Sequence, residues 1–342
     1  MTAWWLLPLV AGTSMALTGA LRRMALRRRL LDLPNERSSH TVPTPRGGGL
    51  AIVLSFLAGL VALACLEAAS LPSGLFRALL GAGILVAVVG FVDDLGHVRA
   101  RWRLLAHFAA AIWALACLGE LPGRDESSLL VASGWIGAAV ATVYLVWLLN
   151  LYNFMDGIDG IAAVEAVCVC LGAALLHAAT GAPGLAFVPL CLGAAAIGFL
   201  YWNFPPARIF MGDVGSGFLG MTLGVLSLHA GVVAPSHLWS WFILLGVFVT
   251  DATVTLLRRL FRGERVYEAH RSHAYQNASR RLRGHLPVTL AVAVVNVIWL
   301  CPIAIAVGTG TIDAWTGLVV AYVPLVALAL GFGAGRPEAR AG

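Results

Sequence analysis

Residues 129–160 read LLVASGWIGAAVATVYLVWLLNLYNFMDGIDG. Positions 129–149 are apolar or small, close to the ~20 residues a helix needs to cross the hydrocarbon core of a bilayer. Asn150, Asn153, Asp156 and Asp159 then follow at intervals of three, which on a helix puts them near one face. Gly157 and Gly160 loosen that helix and admit a ligand. Four unpaired polar groups at a span end would cost several kcal/mol. Amides and carboxylates together suit the polar edge of a base, or a cation. The stretch sets two expectations: membrane-spanning helices, and chemistry gathered at their ends.

The rest of the chain repeats the first of these. Its 342 residues are 59% hydrophobic and 12% charged, with mean hydropathy +0.85, against about 25% charged for a soluble domain. Apolar runs lie near 3–21, 49–68, 75–92, 104–119, 129–149, 161–179, 184–201, 214–233, 238–257, 287–307 and 314–334. The expected fold is therefore all-α and polytopic, a single domain over 1–342 with about eleven membrane helices (ten if one boundary fails). The loop between the sixth and seventh runs is the least secure.

Charge supplies the orientation. The net charge is +6 and the 23 basic residues are all arginine. With the N-terminus outside, 21 of the 23 fall on the inner side, leaving only Arg77 and Arg124 outside. This is the positive-inside pattern. It accounts for the basic balance better than nucleic-acid binding does. The N-terminus lacks a positive region before its apolar run, so a cleaved signal peptide is not expected. Seven tryptophans near span ends (Trp4, Trp5, Trp102, Trp135, Trp202, Trp239 and Trp241) read as an interfacial belt. The six cysteines fall within apolar runs and read as small buried hydrophobes, with no disulfide framework and no zinc site.

The inner segments carry the second expectation. LPNERSSHTVPTPRGGGL has Arg37, His40 and Arg46 for phosphate oxygens, and Gly47, Gly48 and Gly49 to let backbone approach a ligand. FVDDLG places Asp93 and Asp94 at a helix end, where adjacent residues diverge, so one can hold a metal and the other meet a substrate. FMGDVGSG puts Asp213 at the start of a span, as helix cap or magnesium ligand, with Phe210 able to stack on a base. AHRSHAYQ brings His270, Arg271 and His273 into a cationic patch suited to a diphosphate. Asp251 lies inside the 238–257 run, as a helix–helix hydrogen-bond partner or a supporting acid. His107, His177, His229 and His237 read as structural or interfacial.

With these motifs in this order, the chain resembles the polyprenyl-phosphate N-acetylhexosamine-1-phosphate transferases over nearly its whole length. DGIDG followed by FMGDVGS is the most specific part. The resemblance implies ten or eleven helices and a reaction dependent on Mg²⁺ (or Mn²⁺) in the cytoplasmic membrane of a bacterium. Undecaprenyl phosphate attacks a UDP-N-acetyl amino sugar, UMP leaves, and a polyprenyl-diphosphate sugar remains. It further implies Asp213 as principal metal ligand with Asp94 in support, and Asp93 as the residue that deprotonates or orients the lipid phosphate. Asn153, Asp156 and Phe210 would form the uridine pocket, with Asn150 and Asp159 beside it. His270, Arg271 and His273 would handle diphosphate and sugar, with Arg37, His40 and Arg46 nearby. Two features depart from the family pattern: Ser38-Ser39 precedes His40 where many relatives have a lysine, and the triple histidine of the peptidoglycan translocase is absent. The absent triple histidine points away from a muramyl-pentapeptide donor and to the polysaccharide-initiating branch, such as O-antigen initiation, where similar PNERSSH and PTPRGGG loops occur. Membrane lipids are expected partners and a homodimer is open. The rival class is a cation- or proton-coupled transporter, which would place its acids near mid-bilayer and show internal repeats.

Overall fold

The computed structural model describes residues 3–33, 42–66, 71–96, 98–119, 134–264 and 270–337. Arg37 and His40 lie outside them. The helices are α1 (Leu6–Arg28), α2 (Leu50–Leu66), α3 (Ser73–Leu95), α4 (Ala100–Leu118), α5 (Trp135–Met155), α6 (Ile161–Ala179), α7 (Phe187–Asn203), α8 (Asp213–Val233), α9 (Pro235–Leu244), α10 (Gly246–Phe261), α11 (Ala274–Arg281), α12 (Leu286–Val294), α13 (Cys301–Gly308) and α14 (Ala314–Gly331). The only sheet among the described residues is a two-residue antiparallel ladder, Leu31–Asp32 against Thr44–Pro45.

The chain is an all-α polytopic membrane protein. Among the described residues nine helices are long and apolar enough to span, or ten if α9 and α10 count as one bent span. The exact count of eleven is not confirmed. The described part of α2 is apolar and has 17 residues, about 26 Å at 1.5 Å per residue, at the short end of what a span needs. The run expected as one span over 238–257 is broken at Leu245 by 71°. Beyond the break Thr250, Asp251, Thr253 and Thr255 crowd α10 with polar groups that a lipid-facing helix would not carry. The fifth span sits about six residues further along than expected and includes Asn150 and Asn153. The tryptophan belt also needs one correction. Trp135 is 80% exposed, as a belt residue should be, but Trp241 is fully buried.

α8 is the centre of the bundle, 83% buried along its apolar window where α4 is 17% buried. Small residues make this burial feasible, since membrane helices associate by close packing rather than by a hydrophobic drive. A Cβ on Gly220 would lie 2.6 Å from the Leu148 carbonyl, and one on Gly224 would lie 2.8 Å from Leu145. Polar contacts fasten the same pair of helices: Asn153 Nδ2 donates to Ser216 Oγ at 3.2 Å, and the Tyr144 and Ser227 hydroxyls meet at 2.7 Å. On its other side α8 packs along α3, with Val86 near Gly217 and Gly83 near Phe218. Both neighbours run antiparallel to α8. Their C-terminal ends, bearing Asp93, Asp94 and Asp156, therefore arrive where α8 begins with Asp213.

One buried acid escaped the sequence reading. Glu165 in α6 is fully buried and accepts a hydrogen bond of 2.6 Å from Asn296, at the π-helical turn between α12 and α13.

Candidate active site

Asp213 is the first residue of α8, and its own side chain does not cap the helix. The cap comes from α3. Asp94 Oδ1 accepts the Asp213 N–H at 3.0 Å and Asp94 Oδ2 accepts the Val214 N–H at 3.1 Å, satisfying two of the orphan donors that open every helix. Gly212 makes room for this. Its φ is +79°, and a Cβ there would lie 2.5 Å from Asp94 Oδ2.

Two arginines hold the carboxylates together. Arg46 places Nε 2.9 Å from Asp94 Oδ1 and Nη2 2.7 Å from Asp213 Oδ1. Arg103 Nη1 bonds Asp93 and lies 3.2 Å from Asp213 Oδ2. Asp93 also accepts the Val98 N–H at 2.8 Å. Arg46 is presented by backbone pairing: Phe210 N–H donates to the Pro45 carbonyl, and the Gly48 and Gly49 N–H groups donate to the carbonyls of Phe210 and Met211. Gly48 and Gly49 thus serve packing, not ligand approach. A Cβ on Gly49 would stand 2.4 Å from the Gly215 Cα. Only Gly47, at φ +90°, has open space around it.

Asp156 follows α5 directly and lies within electrostatic reach of this cluster. Burial pushes its carboxyl well above the usual carboxylate range, Arg46 pulls the other way, and Asp213, Asp94 and Asp159 add to the rise. The other residues of the motif divide. The Asn153 amide bonds Ser216 across to α8, and the Asn150 amide donates to its own helix at Val146. Asp159 serves the scaffold: Oδ2 accepts the Ala207 N–H at 2.9 Å, Oδ1 lies 3.1 Å from His285 Nδ1, and its carbonyl accepts from Thr289. Gly157 sits against the Tyr275 hydroxyl rather than a ligand.

A second acid repeats the borrowed cap. Asp251, buried in α10, accepts the Ala274 and Tyr275 N–H groups at 2.9 Å each, opening α11, and bonds Thr255 and His273 Nδ1. His273 is therefore a buried anchor and not an exposed cation. Its ring stacks on His270 at 4.8 Å and faces Phe154 at 6.4 Å. Burial, together with His273 and Arg259, pushes the His270 imidazole down to about 3, so it is neutral at ordinary pH. Arg271 turns elsewhere, into a groove with Arg280, Arg281 and Arg336. The expected cationic patch is thus dispersed. It is joined to the carboxylate cluster through Tyr275, whose hydroxyl donates to the Phe154 carbonyl two residues before Asp156.

Arg103 and Asn203 were not singled out in the sequence. Arg103 counted only as an inner-side cation. Asn203 is buried and bolts two motifs together, accepting the Gly160 N–H at 3.0 Å and donating to the Ile209 carbonyl at 2.9 Å. The one available signal was its place before FPPARIFMGD, a polar residue closing an apolar run.

Among the described residues no three His, Cys, Asp or Glu side chains form a ready metal cage. The donors nevertheless suit magnesium, which is held by one or two carboxylates with waters and substrate phosphates. Asp93, Asp94 and Asp213 offer hard oxygen, and three carboxylates facing two guanidinium groups leave negative charge in excess.

The chain matches the profile of glycosyl transferase family 4 over residues 76–231, a stretch containing Asp93, Asp94, Asp156 and Asp213. It is 27% identical over 327 residues, 92% of this chain and 87% of the relative, to the probable undecaprenyl-phosphate N-acetylglucosaminyl 1-phosphate transferase of Bacillus subtilis. It is 29% identical over 312 residues, 80% of this chain and 75% of the relative, to the decaprenyl-phosphate N-acetylglucosaminephosphotransferase of Mycobacterium tuberculosis. A phospho-N-acetylmuramoyl-pentapeptide-transferase of Rippkaea orientalis is 37% identical, but over 82 residues, 24% of this chain and 21% of the relative. Fold and likenesses together define an integral-membrane transferase. The chain is similar to glycosyl transferase family 4 over residues 76–231 and, over most of its length, to polyprenyl-phosphate N-acetylglucosamine-1-phosphate transferases.

Proposed function

We propose that this protein transfers an N-acetylhexosamine-1-phosphate group from a UDP-sugar to undecaprenyl phosphate at the inner face of the bacterial cytoplasmic membrane. N-acetylglucosamine is the first donor sugar to test, because the relatives from Bacillus and Mycobacterium carry it in their names. Initiation of O-antigen or another envelope polysaccharide is the physiological role this reading favours. The observation that carries it is the convergence of Asp93 and Asp94, at the end of α3, and Asp213, at the start of α8, on Arg46 and Arg103.

An oxygen of the lipid phosphate attacks the sugar-bearing phosphorus of the donor. The new P–O–P bond forms as the bond to the bridging oxygen breaks, and that oxygen leaves with UMP. Asp93 orients the incoming lipid phosphate. Arg46 and Arg103, half-exposed beside the carboxylates, meet phosphate oxygens and stabilise the charge that develops there. Asn153, Asp156 and Phe210 bind the uridine. Asp213, with Asp94 behind it, would hold a magnesium ion, which would supply positive charge against the donor diphosphate. Asp94 also positions Asp213 through the helix cap. Positioning and electrostatics suffice for phosphoryl transfer, so direct attack is preferred to a covalent aspartyl intermediate.

The test is UMP release by purified protein given undecaprenyl phosphate, Mg²⁺ and a panel of UDP-N-acetyl sugars. UMP is expected with at least one donor and not without the lipid. Absence of UMP with every sugar, from protein that melts cooperatively, would overturn the proposal.

A further inference from the structure

The turn that carries Asp156 is weakly held by its own helix. α5 is fastened to α8 at Asn153. Three residues on, the Asp156 N–H reaches the Asn153 carbonyl at 3.4 Å, long for a hydrogen bond. The carbonyls of a last helical turn have no partner within the helix. One of them, on Phe154, accepts the Tyr275 hydroxyl at 2.9 Å. Tyr275 is 5% exposed and stands 121 residues further along the chain. Its own place is fixed from a third helix. Asp251 in α10 accepts the Ala274 and Tyr275 N–H groups, so the residue that reaches Phe154 is one that Asp251 caps.

Packing alone does not set this contact. Met155, Asp251 and Tyr275 line one apolar cavity of about 150 Å³, so the ring is not wedged on every side and the hydroxyl bond fixes its place against α5. The far side of the turn is fitted to the same oxygen. A Cβ on Gly157 would clash with the Tyr275 hydroxyl and lie 3.2 Å from Gln276 Nε2. Asp156 is thus bracketed, with Phe154 before it and Gly157 after it both against Tyr275. A capped helix end accounts for the bond to Phe154. It does not account for a glycine beyond Asp156 whose missing side chain makes room for the same hydroxyl.

We propose, resting on the reading above that Asp156 binds uridine, that Tyr275 is a positioning residue that fixes Asp156 for the UDP-sugar. With the hydroxyl in place the turn is preformed, and the nucleotide does not have to order it on binding. The lipid phosphate, met by Asp93 and the arginines, gains nothing from this tie.

UMP release is measured for wild type and Tyr275→Phe with each substrate varied in turn, and UDP binding is measured by titration calorimetry. Tyr275→Phe is expected to raise KM for the UDP-sugar and to weaken UDP binding about fivefold, the worth of one neutral hydrogen bond. KM for undecaprenyl phosphate is expected to stay at the wild-type value, whereas a merely structural loss would move both. Gly157→Ala should show the same split. Adding it to Tyr275→Phe should cost little further, since both changes act on one contact. Should Tyr275→Phe not melt cooperatively, Gly157→Ala carries the test. An unaltered KM for the UDP-sugar, an equal rise in both KM values, or additive losses in the double variant overturns the proposal. Wild-type protein that releases no UMP overturns the functional assignment and this proposal together. Wild-type turnover with an unaltered Tyr275→Phe overturns this proposal alone.

Discussion

Replacing Asp94 with asparagine separates holding the site from performing its chemistry. The Asp94 side chain is 6% exposed and accepts three bonds, from the backbone of Asp213 and Val214 and from Arg46. Asparagine keeps one acceptor oxygen. Its amide nitrogen must then face either a backbone N–H or a guanidinium, both of them donors. The loss of a charge-assisted bond costs about 1.5–3 kcal/mol and the buried donor left against a donor about 1–3 kcal/mol, together about 2.5–6 kcal/mol. At roughly 2 °C per kcal/mol for a large chain, the melting temperature should fall by roughly 5–12 °C. Asp213→Asn makes the contrast. Asp213 is 20% exposed, and the guanidinium groups its carboxylate meets are also held by Asp94 and Asp93. Its loss should barely move the melt. Turnover, read as UMP release, should fall at least about a hundredfold in both variants. Intrinsic tryptophan fluorescence during heating in detergent supplies the stability readout. A melt for Asp94→Asn that matches wild type would refute the reasoning that the borrowed cap supports α8.

Gly212→Ala should cut turnover at least about tenfold and lower the melt, since it combines a left-handed backbone with a Cβ 2.5 Å from Asp94 Oδ2; wild-type UMP release would count against the close approach. Asn203→Leu leaves the Gly160 N–H and the Ile209 carbonyl without partners and should destabilise by about 2–4 kcal/mol, seen as a lower melting temperature in the same scan. His270 is held neutral, with its folded pKa lowered to about 3 from 6.5. Between those values the unfolded chain binds more protons, so stability falls as pH drops from about 6.5 towards 3. His270→Gln should flatten that decline in melts recorded between pH 7 and 5.

How much of this was visible in the chain itself depended on the range of the interaction. Span formation is local, so the apolar runs gave nearly every helix, and composition gave the membrane. The break at Leu245 was harder to see because 238–257 averages as one apolar run, while the polar threonines and Asp251 that turn α10 aside are diluted within it. FVDDLG, MDGIDG and FMGDVG marked three helix ends that do meet. Their partners were not legible: Arg103 looked like any inner-side arginine, and only tertiary packing brings it to Asp93 and Asp213. Asp159 was misjudged for the same reason. Its spacing matched Asp156, yet the turn after Met155 swings it towards Ala207 and His285. His273 looked like a surface cation because nothing in AHRSHAYQ says that Asp251, twenty-two residues earlier, waits beneath it.

The cap that Asp94 lends to α8 makes the two halves of this polypeptide interdependent. α3 lends its carboxylate to the start of α8, 119 residues downstream. A fragment beginning after α4 would fold its central helix with a frayed first turn and a misplaced Asp213. Co-expression of the complementary fragments should restore both at once, since the missing acceptor arrives on the same helix that brings Asp93. Half-proteins of this chain would regain competence only by reassembly, never singly.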